Sequence, residues 1–285
     1  YIPTHVYARN PAIWLHAIST FGGTLTPAPA TAYKVMTRQL RKARDDFDLS
    51  DLRYAWVGAE TVHPAMIDDL VTAGRSFGLR PESIAPCYGL AEATLAATLP
   101  EPDAPIRVSE RGGERYTALG RPREGLELRI GDQGSVEIAG IDVCAAYFGE
   151  DHSVDRWRDT GDLGFIEAGE LHIYGRKKDV VVVAGRKLHA QWVEKCAETY
   201  LQEELSAHNP RCAAFSVADD ERGKELFAVV YEGDDERAYE DHVRAHLGRE
   251  FGVAPDVVRA VEKGSLPYTT SGKLMRRSCA ELLQT

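Results

Sequence analysis

Residues 87–94 carry the first group of side chains that could act on a phosphorylated ligand. Tyr88 supplies a planar ring, Gly89 a flexible backbone and Glu92 a carboxylate within this one short segment. The ring could stack on a base, and the carboxylate could hold a hard cation such as Mg²⁺ beside phosphates. The alternative interpretation is a buried tyrosine followed by a helix on which Glu92 is solvated.

Asp162 is the second candidate. It lies in the segment Thr-Gly-Asp-Leu-Gly, residues 160–164, near the start of a predicted strand. A carboxylate held at that position could accept two hydrogen bonds from a ribose diol. The alternative interpretation is an ordinary turn in which the aspartate bonds to the neighbouring backbone.

Lys273 is the third candidate and lies in residues 266–276, where hydroxyl side chains and a glycine precede it. The ammonium group of a lysine at a loop tip is a mobile point charge suited to phosphate oxygens. The segment is not a Walker A loop, because Leu274 follows the lysine where that motif has Ser or Thr. The alternative is a solvated lysine that precedes a C-terminal helix.

The elements that must position these residues alternate between strand and helix in the first half of the chain. We predict helices at 12–20, 31–42 and 63–76, and strands at 24–26, 52–57 and 83–87. This order indicates an α/β fold in which helices cover a parallel sheet. In such sheets ligands lie beyond the carboxyl ends of the strands, where Gly58 and the pair Tyr88-Gly89 fall.

The pattern changes after residue 117. Alternating apolar and polar residues predict antiparallel strands at 126–130 and 135–138 and a hairpin over 161–174 that turns at Ala168-Gly169. A basic segment, residues 175–179, then precedes a β-branched strand at 180–183. The remainder predicts a small α+β domain, with helices at 193–201, 239–251 and 274–283 and strands at 212–217, 226–231 and 257–261. We place the domain boundary near Lys178.

Composition excludes several classes of function. The 285 residues contain 34 Lys and Arg against 44 Asp and Glu, a net charge of −10, which disfavours general binding of nucleic acid or of anionic membranes. No apolar run approaches the ~18 residues of a membrane span. Five cysteines without a Cys-x-x-Cys pair disfavour a disulfide framework and a structural zinc site. We therefore expect a protein of the reducing cytoplasm.

The order of four motifs resembles the adenylate-forming superfamily, which comprises acyl- and aryl-CoA ligases, peptide-synthetase adenylation domains and luciferases. The similarity runs from about residue 11 to 280 and rests on Tyr88-Gly-Leu-Ala-Glu92, Thr160-Gly-Asp-Leu163, Gly175-Arg-x-Lys-Asp179 and Pro267-x-Thr-x-Ser-Gly-Lys273. Within the superfamily the chain is most similar to fatty acyl-AMP ligases, through residues 24–29, 32–33, 57–60, 88–94 and 185–186, and through Gln191 ahead of Glu194.

The resemblance implies ATP-dependent activation of a carboxylic acid, with a fatty or related hydrophobic acid as the substrate. The acid would attack the α-phosphate of ATP, pyrophosphate would leave, and a thiol on a phosphopantetheine arm, from CoA or a carrier protein, would take the acyl group from the acyl-adenylate. Residues 1–176 would be the C-terminal portion of a large AMP-binding domain, and residues 177–285 a small mobile lid.

The resemblance also implies residue roles. Gly58, Ala59 and Glu60 would line the adenine, with Tyr88 stacked on it and Gly89 beside it. Glu92 would hold Mg²⁺, and Asp162 would bind the ribose hydroxyls with help from Arg176. In the small domain, Lys178 would be the hinge, the Gly185 loop would guide the thiol, and Lys273 would bridge the carboxylate and the α-phosphate.

The chain departs from the family pattern in several places. The Ser/Thr/Gly-rich loop that binds the β- and γ-phosphates in the family is absent from this chain. Roughly the front half of such an enzyme is absent as well, so we expect this chain to adenylate poorly alone. Three explanations stay open: a truncated chain, a natural half that works with a partner chain, or a chain performing only the thioester step. Ala91 stands where many relatives have threonine, and residues 187–190 replace an Asn-x-x-Pro run.

Two further alternatives concern the activity itself. An acyl-CoA ligase could be built on the same frame, and a non-catalytic nucleotide-binding paralogue would keep part of the same motifs. Retention of Glu92, Asp162 and Lys273 argues against the paralogue, since a binding module has no need of a mobile lysine. We interpret Cys87 as a packed small hydrophobic residue.

Overall fold

The computed structural model describes residues 2–43, 47–111, 113–149, 155–183, 185–207, 210–219, 224–233, 239–269 and 274–283. The chain forms two compact units, Tyr1–Tyr174 and Gly175–Thr285. The α/β class predicted from the sequence is confirmed in both units, each of which contains a sheet covered by helices.

A three-stranded parallel sheet organises the start of the first unit. Its strands are Leu25–Pro29, Tyr54–Gly58 and Ile84–Pro86, with Tyr54–Gly58 in the middle. The parallel sheet predicted from the alternation of strands and helices is therefore confirmed. The first strand continues through Pro27 and Pro29, where the sequence suggested an end. Proline lacks a backbone N–H, and a strand at the edge of this sheet tolerates that loss because only one of its sides pairs.

The helices of this unit are Thr4–Arg9, Ile13–Phe21, Ala30–Lys42 and Pro64–Gly74. Helix Ala30–Lys42 buries Tyr33, Met36 and Leu40, whose spacing places them on one face. The Tyr33 hydroxyl donates to the carbonyl oxygen of Thr26 at 2.9 Å, which fixes this helix on the first strand.

The rest of the first unit is rich in short strands. They are Tyr88–Gly89, Ala96–Leu99, Val108–Arg111, Glu114–Thr117, Arg121–Pro122, Leu126–Ile130, Ser135–Gly140, Arg158–Glu167 and Glu170–Arg176. The last four form one four-stranded sheet. Its final hairpin turns at Ala168 and Gly169, which both have positive φ, as the sequence predicted.

His172 is buried in this strand-rich region at 1% exposure. Its Nδ1 lies 3.2 Å from the carbonyl oxygen of Glu170, and its Nε2 lies 3.0 Å from the Ser109 hydroxyl. A neutral imidazole satisfies both contacts, with Nδ1–H donating to Glu170 and the Ser109 hydroxyl donating to Nε2. Burial lowers the pKa of His172 below its ordinary value of 6.5, although Glu167 and Glu170 act in the opposite direction.

Acid should therefore destabilise the first unit. Because the pKa of His172 is lower in the folded than in the unfolded chain, its contribution is complete above about pH 6.5 and is lost as pH falls toward the folded value. We expect the free energy of unfolding to fall by at most about 1.4 kcal/mol per pH unit in that window. Thermal unfolding at about pH 7.5 and about pH 5.5 measures this effect.

A His172→Gln variant should show a smaller loss between the two pH values, whereas the exposed His5→Gln variant should behave like the parent chain. An equal acid loss in the parent and His172→Gln proteins would contradict the assignment.

The second unit is built around a three-stranded sheet. Strand Lys224–Glu232 lies in the middle, antiparallel to Cys212–Asp219 and parallel to Val257–Val261. A separate hairpin pairs Val180–Val183 with Arg186–His189. The helices are Ala190–Glu203 and Glu240–Phe251.

The two faces of this sheet have different cores. Cys212 and Ala214 pack in the cluster that contains the two helices, whereas Ala213 and Phe215 pack with Cys279 of the C-terminal segment. That segment, Arg276–Leu283, is a 3₁₀ helix in place of the predicted longer helix at 274–283. Cys279 of this segment is completely buried. Among the described residues, no helix is long and apolar enough to cross a membrane.

Candidate functional site

The loop after the middle parallel strand begins at Gly58. A Cβ at that position would lie 3.1 Å from both the carbonyl oxygen and the Sγ of Cys87 on the neighbouring strand end, so the two strands approach closely here. Ala59 follows with a φ of 63°, an unusual backbone conformation for a residue with a side chain. Backbone strain of this kind is often found at binding sites.

Glu60 has a structural partner that the sequence did not reveal. Its carboxylate accepts the backbone N–H of Thr31 at 2.9 Å and the Thr31 hydroxyl at 3.1 Å. Thr31 lies in the first turn of helix Ala30–Lys42, where negative charge is favourable. The side chain of Glu60 thus caps a helix, and the predicted position of residues 58–60 at the adenine stays a prediction.

Cys87 behaves as the small hydrophobic residue that the sequence suggested. It is half-buried, and its Sγ lies 3.6 Å from the carbonyl oxygen of Val57. Burial raises the pKa of the thiol to about 11, so the thiol stays protonated at neutral pH.

Tyr88 and Asp162 are brought together although 74 positions separate them. The tyrosine hydroxyl donates to Oδ2 of Asp162 at 2.6 Å. Asp162 is only 4% exposed, and its own N–H donates to Oγ1 of Thr160 at 3.2 Å. Thr160 in turn donates to the carbonyl oxygen of Val136 at 2.9 Å, which fixes the segment to the adjacent strand. Two of the three sequence candidates therefore share one site.

The chemistry of this pair suits a nucleoside. An ionised carboxylate is an acceptor with about four lone-pair positions, so the Tyr88 hydroxyl does not exhaust what Asp162 can accept. A diol offers two O–H donors to one carboxylate. The tyrosine ring adds an apolar face beside these polar atoms, which is the combination that a base linked to a ribose requires.

Gly89 lies very close to the backbone of Leu95 and Ala96. A Cβ there would lie 1.9 Å from the carbonyl oxygen of Leu95, a distance at which backbone atoms must move. The short strand Tyr88–Gly89 pairs with Ala96–Leu99, so this approach sets the position of Tyr88 as well.

A Gly89→Ala change should therefore destabilise the first unit by about 1–3 kcal/mol, the cost typical of overpacking. It should also weaken nucleotide binding, since the displaced strand carries Tyr88. Thermal unfolding measures the first effect. Gly233→Ala is a suitable control because its Cβ would meet Tyr231 at an ordinary 3.4 Å. Equal stability of the two variants would contradict the close approach.

Glu92 lies half-buried on the 3₁₀ turn Ala91–Ala93. Its Oε1 accepts the hydroxyl of Tyr147 at 2.6 Å, and its carbonyl oxygen accepts the N–H of Cys144 at 2.7 Å. The hydrogen bond from the Tyr147 hydroxyl to the Glu92 carboxylate raises the pKa of the Tyr147 phenol. Sequence reasoning missed Tyr147, which has no spacing relationship to Glu92 that could have indicated the contact.

The carboxylate of Glu92 is the type of ligand that Mg²⁺ takes, and its role as a Mg²⁺ ligand stays a prediction. Mg²⁺ is usually held by one or two carboxylates together with substrate phosphates and water. Within the described ranges no group of three or more His, Cys, Asp or Glu side chains could hold a metal ion by itself. A single carboxylate on a partly exposed turn is consistent with an ion that arrives with a nucleotide.

The remaining predicted residues belong to the second unit. Arg176 ends the strand Glu170–Arg176, and Lys178 lies in the 3₁₀ turn Lys177–Asp179. Gly185 has a φ of 75° just before strand Arg186–His189. Lys273 lies outside the described residues.

Comparison with known proteins identifies a family. The sequence profile of the AMP-binding enzyme family matches residues 1–141. Rv1013 of Mycobacterium tuberculosis, provisionally named a ligase, is 34% identical over 97% of this chain and 58% of its own length. From the same species, fadD25, provisionally named a fatty-acid–CoA ligase, is 26% identical over 97% of this chain and 55% of its own length.

Solved structures agree with this result. A structure from a study of fatty acyl-adenylate ligases of E. coli and L. pneumophila matches with a TM-score of 0.81 and 25% identity, over all of this chain and 57% of that one. A McyG A-PCP structure with phenylalanyl-adenylate matches in fold, with a TM-score of 0.74 and 23% identity over 99% of this chain and 54% of that one. The chain spans little more than half the length of these relatives. The resemblance predicted from the sequence is confirmed, because residues 1–141 match the AMP-binding enzyme family and the chain is similar to ligases and to fatty acyl-adenylate ligase structures along its length.

Proposed function

We propose that this chain is part of a ligase that converts a fatty or related hydrophobic carboxylic acid into an acyl-adenylate at the expense of ATP. The observation that carries the proposal is the hydrogen bond between Tyr88 and Asp162, which joins two separate motifs at one buried carboxylate. The names of fadD25 and of the fatty acyl-adenylate ligases support the class of acid.

In the proposed reaction the first unit binds the nucleotide. Asp162 accepts the ribose hydroxyls, while Tyr88 stacks on the adenine and the backbone of residues 58–60 lines its edge. Glu92 would hold Mg²⁺, which neutralises charge on phosphate oxygens when it is bound. These contacts hold the α-phosphate in a fixed orientation for attack by the substrate carboxylate.

Lys273 completes the chemistry of adenylation. The carboxylate oxygen forms a bond to the α-phosphorus, and the bond from that phosphorus to pyrophosphate breaks. Negative charge accumulates on the phosphate oxygens in the transition state, where a fixed ammonium group lowers the barrier. We propose that rotation at Lys178 then removes the lysine and presents the Gly185 loop to the incoming thiol.

The acceptor of the acyl group is a phosphopantetheine thiol, and we favour a carrier protein. The resemblance of the sequence to fatty acyl-AMP ligases implies this choice, whereas the name of fadD25 favours CoA as the alternative. Both acceptors present the same thiol chemistry, so only the product distinguishes them.

The full-length protein should catalyse exchange of labelled pyrophosphate into ATP when a fatty acid is supplied. Mass spectrometry should detect the acyl-AMP, and the acyl group should move to a phosphopantetheinylated carrier protein in preference to CoA. Residues 1–285 alone should exchange pyrophosphate poorly. Failure of the full-length protein to form any acyl-AMP from a panel of acids would overturn the proposal, and preferential formation of acyl-CoA would establish the alternative.

A further inference from the structure

A buried ion-pair cluster in the second unit joins three segments that are distant in sequence. Its members are Arg276, Glu194 and Asp179, here named the Arg276 cluster. Nε and one terminal nitrogen of Arg276 donate to the two carboxylate oxygens of Glu194, both at 2.7 Å. The other terminal nitrogen donates to Oδ2 of Asp179 at 3.0 Å. The side chains of all three are at most 16% exposed.

The geometry makes this cluster a rigid junction. A planar guanidinium that bonds both oxygens of one carboxylate fixes orientation as well as distance. Oε1 of Glu194 also accepts the N–H of Ala214 at 3.0 Å, which ties helix Ala190–Glu203 to the central sheet. Arg276 is therefore anchored, through Glu194, to the core of the second unit.

The cluster lies next to the base of the segment that carries Lys273. Tyr268 and Leu274 pair as an isolated antiparallel bridge, and the N–H of Met275 donates to the carbonyl oxygen of Pro267 at 2.9 Å. These contacts join the described residues on the two sides of positions 270–273, and Arg276 follows directly after Met275. At the other side of the cluster, Asp179 is adjacent in sequence to the proposed hinge residue, Lys178.

We propose that Arg276 is a positioning residue for adenylation, an inference that rests on the proposed function. It holds the chain that follows Lys273, at Leu274–Met275, and the turn Lys177–Asp179 in one rigid arrangement. The flexible part of the hinge would then end before Asp179, and the chain that follows Lys273 would stay fixed to the core of the second unit. Arg276 itself touches neither substrate nor nucleotide in this role.

The proposal can be tested by separating the two half-reactions in the full-length protein. Arg276→Lys keeps the positive charge but loses the two-point contact with Glu194. Asp179→Asn weakens only the hydrogen bond between Arg276 and the turn next to the hinge residue. We expect kcat for pyrophosphate exchange to fall by about 10- to 100-fold in Arg276→Lys and less in Asp179→Asn, with KM for ATP unchanged. Transfer of the acyl group from a synthetic acyl-adenylate to the thiol should be retained.

Arg244→Lys is the matched control. Arg244 also joins two segments of this unit, because it donates to the carbonyl oxygens of Pro255 and Asp256, but it has no contact with the Arg276 cluster among the described bonds. This variant should keep both half-reactions. An equal loss of both half-reactions in Arg276→Lys, or unchanged exchange of pyrophosphate, would overturn the positioning role.

Hydrogen–deuterium exchange gives a measurement that does not depend on activity. In Arg276→Lys, the backbone amides of residues 264–276 and those of residues 175–183 should both exchange faster than in the parent protein. In Arg244→Lys, the exchange rates of both segments should be unchanged. If the parent protein forms no acyl-adenylate, the proposed function is wrong. The exchange measurement still tests whether the Arg276 cluster is a rigid junction. Unchanged protection of both segments in Arg276→Lys would overturn the inference.

Discussion

Changing Lys273 to alanine should abolish acyl-adenylate formation in the full-length protein and leave the transfer step working. The ammonium group is proposed to meet charge that develops on the α-phosphate only in the transition state. Loss of one such contact typically costs about 10²–10³-fold in rate, or about 3–4 kcal/mol. Transfer to the thiol starts from an adenylate that is already made, so it does not need this charge.

Exchange of pyrophosphate and acyl transfer from a preformed adenylate measure the two steps separately. The exposed Lys195→Ala variant removes an ammonium group from the same unit and should leave both rates unchanged. Survival of pyrophosphate exchange in Lys273→Ala would contradict the role assigned to the lysine. Loss of both steps would instead indicate a general structural defect, which thermal unfolding of the variant would reveal.

Replacing Asp162 with asparagine should weaken AMP binding by about 10- to 100-fold. Hydrogen bonds to a charged group contribute about 1.5–3 kcal/mol each, and a difference of 1.4 kcal/mol is tenfold in affinity. An amide presents one oxygen where the carboxylate presents two, so it cannot receive the Tyr88 hydroxyl and both ribose hydroxyls equally well. Isothermal titration of AMP into the chain measures this change.

The control for this experiment is Asp132→Asn, which removes an exposed carboxylate from the same unit. It changes the net charge by the same amount, so it separates general electrostatic attraction from the specific contact. Identical dissociation constants for AMP in the Asp162 and Asp132 variants would remove Asp162 from the nucleotide site.

The local patterns of the sequence predicted most of the elements. The spacing of apolar residues in residues 31–42 marks a helix, and the observed helix Ala30–Lys42 follows it. The hairpin turn at Ala168 and Gly169 was also predictable, because glycine readily adopts the positive φ that a two-residue hairpin turn demands, and the structure has positive φ at both residues. Such features depend on neighbours a few positions away, which is why a single sequence reveals them.

The contacts of the site depend on residues far apart in the chain and were not predictable in the same way. Motif order placed Tyr88 and Asp162 in one site, but their direct hydrogen bond follows from how two sheets meet. Glu60 was expected at the adenine, and its bonds to Thr31 arise because a helix begins beside that loop. The contact of Tyr147 with Glu92 likewise needs the fold.

A crystal structure of the chain grown with AMP tests the central claim most directly. We expect the ribose hydroxyls within hydrogen-bonding distance of the Asp162 carboxylate, and the adenine between the Tyr88 ring and the backbone of residues 58–60. Nucleotide density at another surface of the first unit, with Tyr88 and Asp162 in contact only with protein, would contradict the proposed site.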